Sequence, residues 1–418
     1  MQIYKYNIVM SNFGGGVMFK KVLRNKNFAL LGIGGFISSI GDYMYYIGIT
    51  VYLYTETRSV GAIAFMWLSR AVLRIPMQYI SGIIADKYNK KKAIAYTNLI
   101  SAVFAFLFVF VDKSNIWLTY ILAFVLQSLN DIDLGSETAI LPELVSKEEL
   151  SYSNSAFSFL ESISTFLSPA LGGIIYKLKG SQILFIINAI SFLIAGLLFC
   201  CISYKHTKVE KSKSKLSIFK SGLEGYHALI KYIDVKTIFI IMSIYGLMGR
   251  FYETYKVAIS DTLLNIKPEG IIYFDYAMAI GGLLVPFLIK RLSNYKDVYV
   301  FIISSLMISI SYLVFGYSTS FIATFAILII LGIASTIQGV LSRTIIQKEI
   351  PKEFIGRVFS FYKILLTLFA IAALLIAEPL YKLIGAGNTF LIFVVISFIL
   401  CLSQLRNGKS TSKAVYKQ

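Results

Sequence analysis

The segment Gly82-Ile83-Ile84-Ala85-Asp86-Lys87-Tyr88-Asn89-Lys90-Lys91-Lys92 decides how the chain is read. An apolar helix ends in it, an acid and four lysines follow within seven residues, and another apolar run begins at Ala93. So short and basic a turn between two membrane-length helices marks a cytoplasmic hairpin, because Lys and Arg concentrate on that side of a bilayer. It sets the orientation of every other span.

Composition supports a lipid solvent. Of 418 residues 57% are hydrophobic and 15% charged, with a mean hydropathy of +0.72; soluble domains carry about 25% charged residues. Long apolar blocks, rather than strict alternation, exclude a barrel. The reading is an all-α membrane protein with twelve transmembrane helices, near 28–52, 60–84, 93–111, 116–138, 151–176, 181–203, 237–258, 270–290, 298–317, 320–342, 358–381 and 386–404. The first span is too long, and too polar in its middle, for a cleaved signal peptide. The net charge of +18 is spread through short loops, which fits anionic lipid and not nucleic acid. Cys200, Cys201 and Cys401 all lie in apolar runs, so no disulfide framework or metal spacing is on offer.

The distribution of basic residues tests the topology. Of 40 Lys and Arg residues, twenty-nine fall in segments that are cytoplasmic if both termini are inside, six in the opposite loops and five within spans. That asymmetry places both termini in the cytoplasm. The chain divides into a leader at 1–26, a six-helix half at 27–203, a basic linker at 204–236, a second six-helix half at 237–404 and a tail at 405–418. The leader contains Gly14-Gly15-Gly16, and Met18 is an alternative start. Residues 218–233 of the linker are patterned for an amphipathic helix on the membrane surface. Two pseudo-symmetric halves point to a transporter built from repeats, although only Gly281-Gly282 through Lys290-Arg291 echoes the opening hairpin.

The hairpin Gly82-x-x-x-Asp86-Lys87-x-Asn89-Lys90-Lys91 resembles the signature loop between spans two and three of the major facilitator superfamily. It departs from the family pattern with Asn89 at a glycine position and lysines at arginine positions. Asn tolerates the left-handed turn that glycine would adopt there, whereas lysine lacks bidentate geometry. Three more stretches resemble the macrolide-efflux-like exporters of that superfamily. They are Leu141-Pro142-Glu143-Leu144 with Lys147 to Leu150, Ser168-Pro169-Ala170-Leu171-Gly172-Gly173, and Ile350-Pro351 through Gly356-Arg357 to Ser360. Gln127-Ser128-Leu129-Asn130-Asp131-Ile132-Asp133 stands where the family carries a span-four arginine, which weighs against a standard proton relay in that span. The resemblance implies the major facilitator fold, a plasma-membrane location, a monomer, and secondary export with no cofactor and no enzymatic activity. It also implies that Asp86 latches the inward gate against the start of span eleven, with Arg357 as an added partner.

Intramembrane charges are functional candidates by default, since each costs about 2.5–3.5 kcal/mol at mid-bilayer. Asp42, Arg70 and Glu161 fall at one depth, with Arg74 one turn beyond Arg70. They are expected to face a shared cavity. Two roles stay open: a permanent Asp42–Arg70 ion pair, or a titrating Asp42 or Glu161 that couples protons. His206 and His227 both lie in the linker, so a protonatable switch within the membrane must be a carboxylate. Asp131, Asp133 and Glu137 on span four either join this network or line the cytoplasmic mouth and pair with Lys90 or Lys91. Arg250, Glu253 and Lys256 have the spacing of an internal salt-bridge ladder, with Arg250 and Glu253 as alternative substrate contacts. Asp275 and Glu378 read as rim residues. Pro169, Gly172 and Gly173 permit a bend and a close helix approach. Tyr45, Tyr46 and Tyr252 offer rings that stack on an amphipathic small molecule. Gly408-Lys409-Ser410 lacks the first glycine of a phosphate loop, so ATP is not the direct energy source. Export of macrolide-type compounds against protons is the leading expectation. Export of a siderophore, peptide or lipid is the transport alternative, and a non-transporting receptor or scaffold is the alternative of another class.

Overall fold

A computed structural model describes residues 24–146, 149–204, 232–292 and 295–415. Among the described residues the chain is helical throughout and contains no strand. The helices are α1 (Lys26–Thr57), α2 (Val60–Lys87), α3 (Lys90–Leu107), α4 (Trp117–Leu144), α5 (Leu150–Lys179), α6 (Ser181–Cys200), α7 (Ile233–Ala258), α8 (Ile271–Leu292), α9 (Asp297–Tyr317), α10 (Phe321–Glu349) and α11 (Lys352–Val415). A non-helical Gly385 at φ 78° breaks α11 into two arms. Among the described residues eight helical segments are long and apolar enough to cross a membrane. In hydrocarbon each backbone N–H and C=O must be satisfied within its own segment, so the apolar runs fold as helices. Their outer faces carry large bare side chains such as Phe287, Ile322 and Leu383, each about four-fifths exposed.

Local chemistry sets the breaks. Asn89 closes the opening hairpin as the N-cap of α3, its Oδ1 accepting from the Lys92 amide at 3.1 Å. Its φ is −67°, so the residue caps a helix from an extended conformation and does not make the left-handed turn expected of a glycine substitute. Gly180, at φ 75°, ends α5 and admits α6 directly. Helix α5 continues through Pro169, and Gly172 packs on Met44 and Ile47 of α1. The expected surface helix at 218–233 and the leader fall almost wholly outside the described residues.

The chain forms two compact units. The first comprises residues 1–49 and 73–212, and the second residues 50–72 and 213–418. Within the first, α3 packs on α4 and α6, and Phe28, Leu31, Ile94, Ile140, Ala195 and Phe199 form a core. Within the second, α7 packs on α11, α8 on α10, and α9 on both α10 and α11. Val235, Phe239, Ile346, Ile350 and Val358 form its smaller cluster. The tip of the α1–α2 hairpin therefore belongs with the later helices.

Helices α8 and α10 cross at Gly281 and Gly332. A Cβ on Gly332 would overlap the Met278 carbonyl, and one on Gly281 would overlap the Ile329 carbonyl. Small residues at this crossing let the backbones touch. Gly332→Ala is expected to lower the melting temperature of the purified protein, at a cost of about 1–3 kcal/mol for overpacking. Gly339→Ala, where a Cβ meets nothing within 4 Å, is the control and should not lower it. Equal melting of the two variants would refute the tight crossing.

Candidate functional site

In the first unit, four helices bring acids together. Asp133 of α4 accepts hydrogen bonds from Thr97 Oγ1 at 3.0 Å and from Asn98 Nδ2 at 2.8 Å, both on α3. Glu137 follows one turn later, and a Cβ on Gly35 of α1 would sit 3.2 Å from its Oε1. Asn130 reaches Asp42 of α1 at 3.5 Å, and Gln127 donates to the buried Asp131 at 3.1 Å. Asp42 is within electrostatic reach of Asp133, Asp133 of Glu137, and Glu137 of Glu161 on α5. Thus Asp42 and Glu161 belong to one chain of carboxylates linked through the two α4 acids. Arg70 lies in the second unit. Arg74 is exposed on α2. Tyr45 is enclosed by Phe108 and Phe185, with the half-buried Tyr46 beside it, so packing claims its ring. Tyr43 shares a hydrogen bond with Thr165 at 2.9 Å, tying α1 to α5 just beyond Glu161.

At the basic hairpin, Lys90 is buried and pairs with Glu143 of α4 at 3.0 Å. It does not reach for the deeper acids Asp131 or Asp133 in this arrangement. The Tyr204 hydroxyl also donates to Glu143. Burial, then the neighbouring Glu143 carboxylate, push the Tyr204 phenol well above its usual range. Gly82 is exposed with open space around it, and Lys91 is half-buried. The side chains of Asp86, Lys87 and Arg357 lie outside the described residues, and with them the expected latch.

The second unit is built differently. Trp67 on the hairpin tip has the Arg70 guanidinium 5.7 Å and the Arg250 guanidinium 5.8 Å from its ring centre. Cation–π contact of this kind contributes about 0.5–2 kcal/mol according to solvent access. Arg58 pairs with Asp261 at 2.6 Å, and Ser59 donates to Glu378 at 2.9 Å while Lys382 holds the same carboxylate at 2.8 Å. Asp261 is presented by a π-turn, Ile259–Leu263, that widens the end of α7. Lys256 sits between Glu253 and Asp275, so Asp275 is part of an internal ionic cluster and not simply a rim residue. Tyr252 is fully buried against Tyr312 and Phe315.

Among the described residues no three His, Cys, Asp or Glu side chains converge as metal ligands would. Sequence reading missed Trp67, Thr97, Asn98 and Asp261. A polar pair in the middle of α3 and an acid at the end of α7 were the available signals.

These geometries separate two kinds of ion pair. Removing one partner of a buried pair costs about 3–5 kcal/mol, while exposed pairs contribute about 0–1 kcal/mol. Lys90→Ala should therefore lower the melting temperature clearly more than Arg58→Ala, whose side chain is 63% exposed. The reverse order in a thermal scan would contradict the assignment.

Residues 31–374 match the Major Facilitator Superfamily. The chain is similar to the staphyloferrin A transporter of Staphylococcus aureus, 23% identical over 78% of this chain and 82% of that protein. It is also similar to macrolide efflux protein A of Streptococcus pyogenes, 21% identical over 74% and 78%. Among solved structures, the nucleoside transporter NupG superposes with a TM-score of 0.70 at 16% identity, over 91% of this chain and 98% of NupG. The POT family transporter PepTSo gives 0.71 at 13% identity, over 93% and 98%. Long apolar helices, the family match and the shared fold agree: this chain is a multi-pass membrane transporter, and it belongs to the Major Facilitator Superfamily.

Proposed function

We propose that the protein is a secondary exporter of hydrophobic or amphipathic small molecules, driven by proton antiport. The observation that carries this reading is the carboxylate chain from Asp42 through Asp133 and Glu137 to Glu161. In this reading Asp133 and Glu137, one turn apart on α4 with Asp42 and Glu161 in electrostatic reach, are the groups that hold the exchanged proton. A substrate that changes their spacing or solvation would release a proton, and a returning proton would expel the substrate. Arg70 and Arg74 are the basic residues of the proposed charge network in this reading, with Tyr46, Arg250 and Glu253 as substrate contacts.

In the full arrangement twelve spans form two six-helix halves, and both termini face the cytoplasm of a plasma-membrane monomer. Asp86, Lys87 and Arg357 close the inner gate, and Pro169, Gly172 and Gly173 give α5 its pivot. Macrolides are the substrate class supported by one group of relatives. Export of a siderophore is the second reading, supported by the staphyloferrin A transporter. The energy scale bounds the phenotype: one charge crossing about 100 mV supplies roughly 2.3 kcal/mol, under two decades of gradient at about 1.4 kcal/mol per decade.

Everted vesicles from a pump-deficient host provide the test. A macrolide should dissipate an imposed pH gradient in vesicles containing the wild-type chain, and Asp42→Asn should abolish that response. Dissipation of the gradient by staphyloferrin A where macrolides have no effect would move the assignment to the second reading. A gradient indifferent to both compounds would remove the exporter reading.

A further inference from the structure

One stripe of α11 is wet at one end and dry along the rest. Lys363, Thr367, Ala370, Leu374 and Ala377 recur at three- and four-residue spacing, which puts them on one side of the helix. Lys363 is exposed, Thr367 is half-buried, and Ala370, Leu374 and Ala377 are buried. The bare apolar side chains of the same stretch, Leu368, Leu375 and Ile376, recur on the opposite side. Lipid therefore covers one side of α11, and water reaches the other at its Lys363 end. An ammonium there, just inside the apolar segment Phe361–Cys401, would be costly if it were dry.

Helix α10 brings a second cation to this level. Arg343 is exposed, and its charge reaches the hydroxyl of Tyr362, the residue before Lys363. The Tyr362 ring is fixed edge-on against Phe239 of α7, with ring centres 5.1 Å apart. One turn before Arg343, a Cβ on Gly339 would meet nothing within 4 Å, so the space there is open. Ile346 and Val358 join α10 to α11 in the same cluster. Charge balance sets the two cations apart. Lys90 and Lys256 meet acids, and Lys348 at the end of α10 pairs with Asp297 of α9 at 2.5 Å. Neither Arg343 nor Lys363 forms an ion pair with a described residue. Glu349, the one acid of α10, is exposed and lies well over a turn beyond Arg343. Basic residues at an inner rim also serve topology, but that role does not explain a lysine on the interior side of its helix.

We propose that Lys363 and Arg343 form an anion-recognition site in the second unit, one that takes the oxygens of a carboxylate or phosphate group. The guanidinium offers paired N–H donors that match either group, and the ammonium offers a compact charge. Two sources share this chemistry: a small anion entering from water as cargo, or the headgroup of an anionic lipid. The first deepens the exporter reading by naming the charge of the cargo. The proposal rests on that reading only for what becomes of the ligand, since binding needs no gradient.

Equilibrium binding to the purified full-length protein in neutral detergent at low salt is the test. In the solute arm, inorganic phosphate and succinate are titrated calorimetrically against uncharged succinamide. In the lipid arm, native mass spectra compare retention of phosphatidylglycerol with that of phosphatidylcholine. The anion should be preferred in one arm, and that arm names the source. There Lys363→Gln and Arg343→Gln should each weaken binding about tenfold or more, as loss of a hydrogen bond to a charged group does. Lys363→Arg, which keeps the charge, should largely retain it. Lys348→Gln, which removes a cation already paired, should leave binding unchanged, and melting temperatures check that each variant is folded. No preference for anions in either arm, binding that survives in both glutamine variants, or equal weakening in Lys348→Gln overturns the proposal. Each of those results leaves the pH-gradient response of vesicles, and with it antiport, to stand or fall separately.

Discussion

A charge inside hydrocarbon must be paired, hydrogen-bonded or wetted, and the interior of this protein is arranged around that constraint. Lys90 meets it through Glu143, Lys256 through two acids, and Asp133 through the Thr97 hydroxyl and the Asn98 amide. Neutral donors hold Asp133 without cancelling its charge. An ion pair such as Lys90–Glu143 does the opposite and fixes both partners.

The two units use different chemistry. Within the described membrane-depth part of the first, acids face acids, and amides and hydroxyls mediate. In the second, cations and anions interleave along α7, and aromatic rings carry much of the packing: Tyr252 on Phe315, Tyr312 flat on Phe390, Phe251 on Tyr255. Buried serines and Tyr245 add a hydroxyl network through Ser309 and Ser397. Such networks hold helices in register without introducing charge.

Much of this was legible in residue order. Apolar runs mark the helices, and the lysines after Asp86 mark the break between α2 and α3. What residue order does not carry is azimuth and partnership. Depth counting pairs Asp42 with Arg70; the contacts that Asp42 makes within the first unit, to Asn130 and towards the α4 acids, have no signal in spacing. Tyr45 read as a substrate ring because it follows Asp42 by a turn, yet its side of α1 faces Phe108 and Phe185. Asn89 was read by the glycine it replaces, and its side chain instead caps the helix that follows. Contacts between residues hundreds of positions apart, such as Ser59 with Glu378, leave no local pattern to find.

That last contact bears on how the protein is made. Ser59 and Glu378 are 319 positions apart, and a ribosome adding about 5–20 residues per second needs roughly 15–60 s to cover that distance. For all that time the α1–α2 tip, with Ser59 and Trp67, precedes the helices that will receive it. The Ser59–Glu378 contact that holds this tip therefore forms only once α11 has been made.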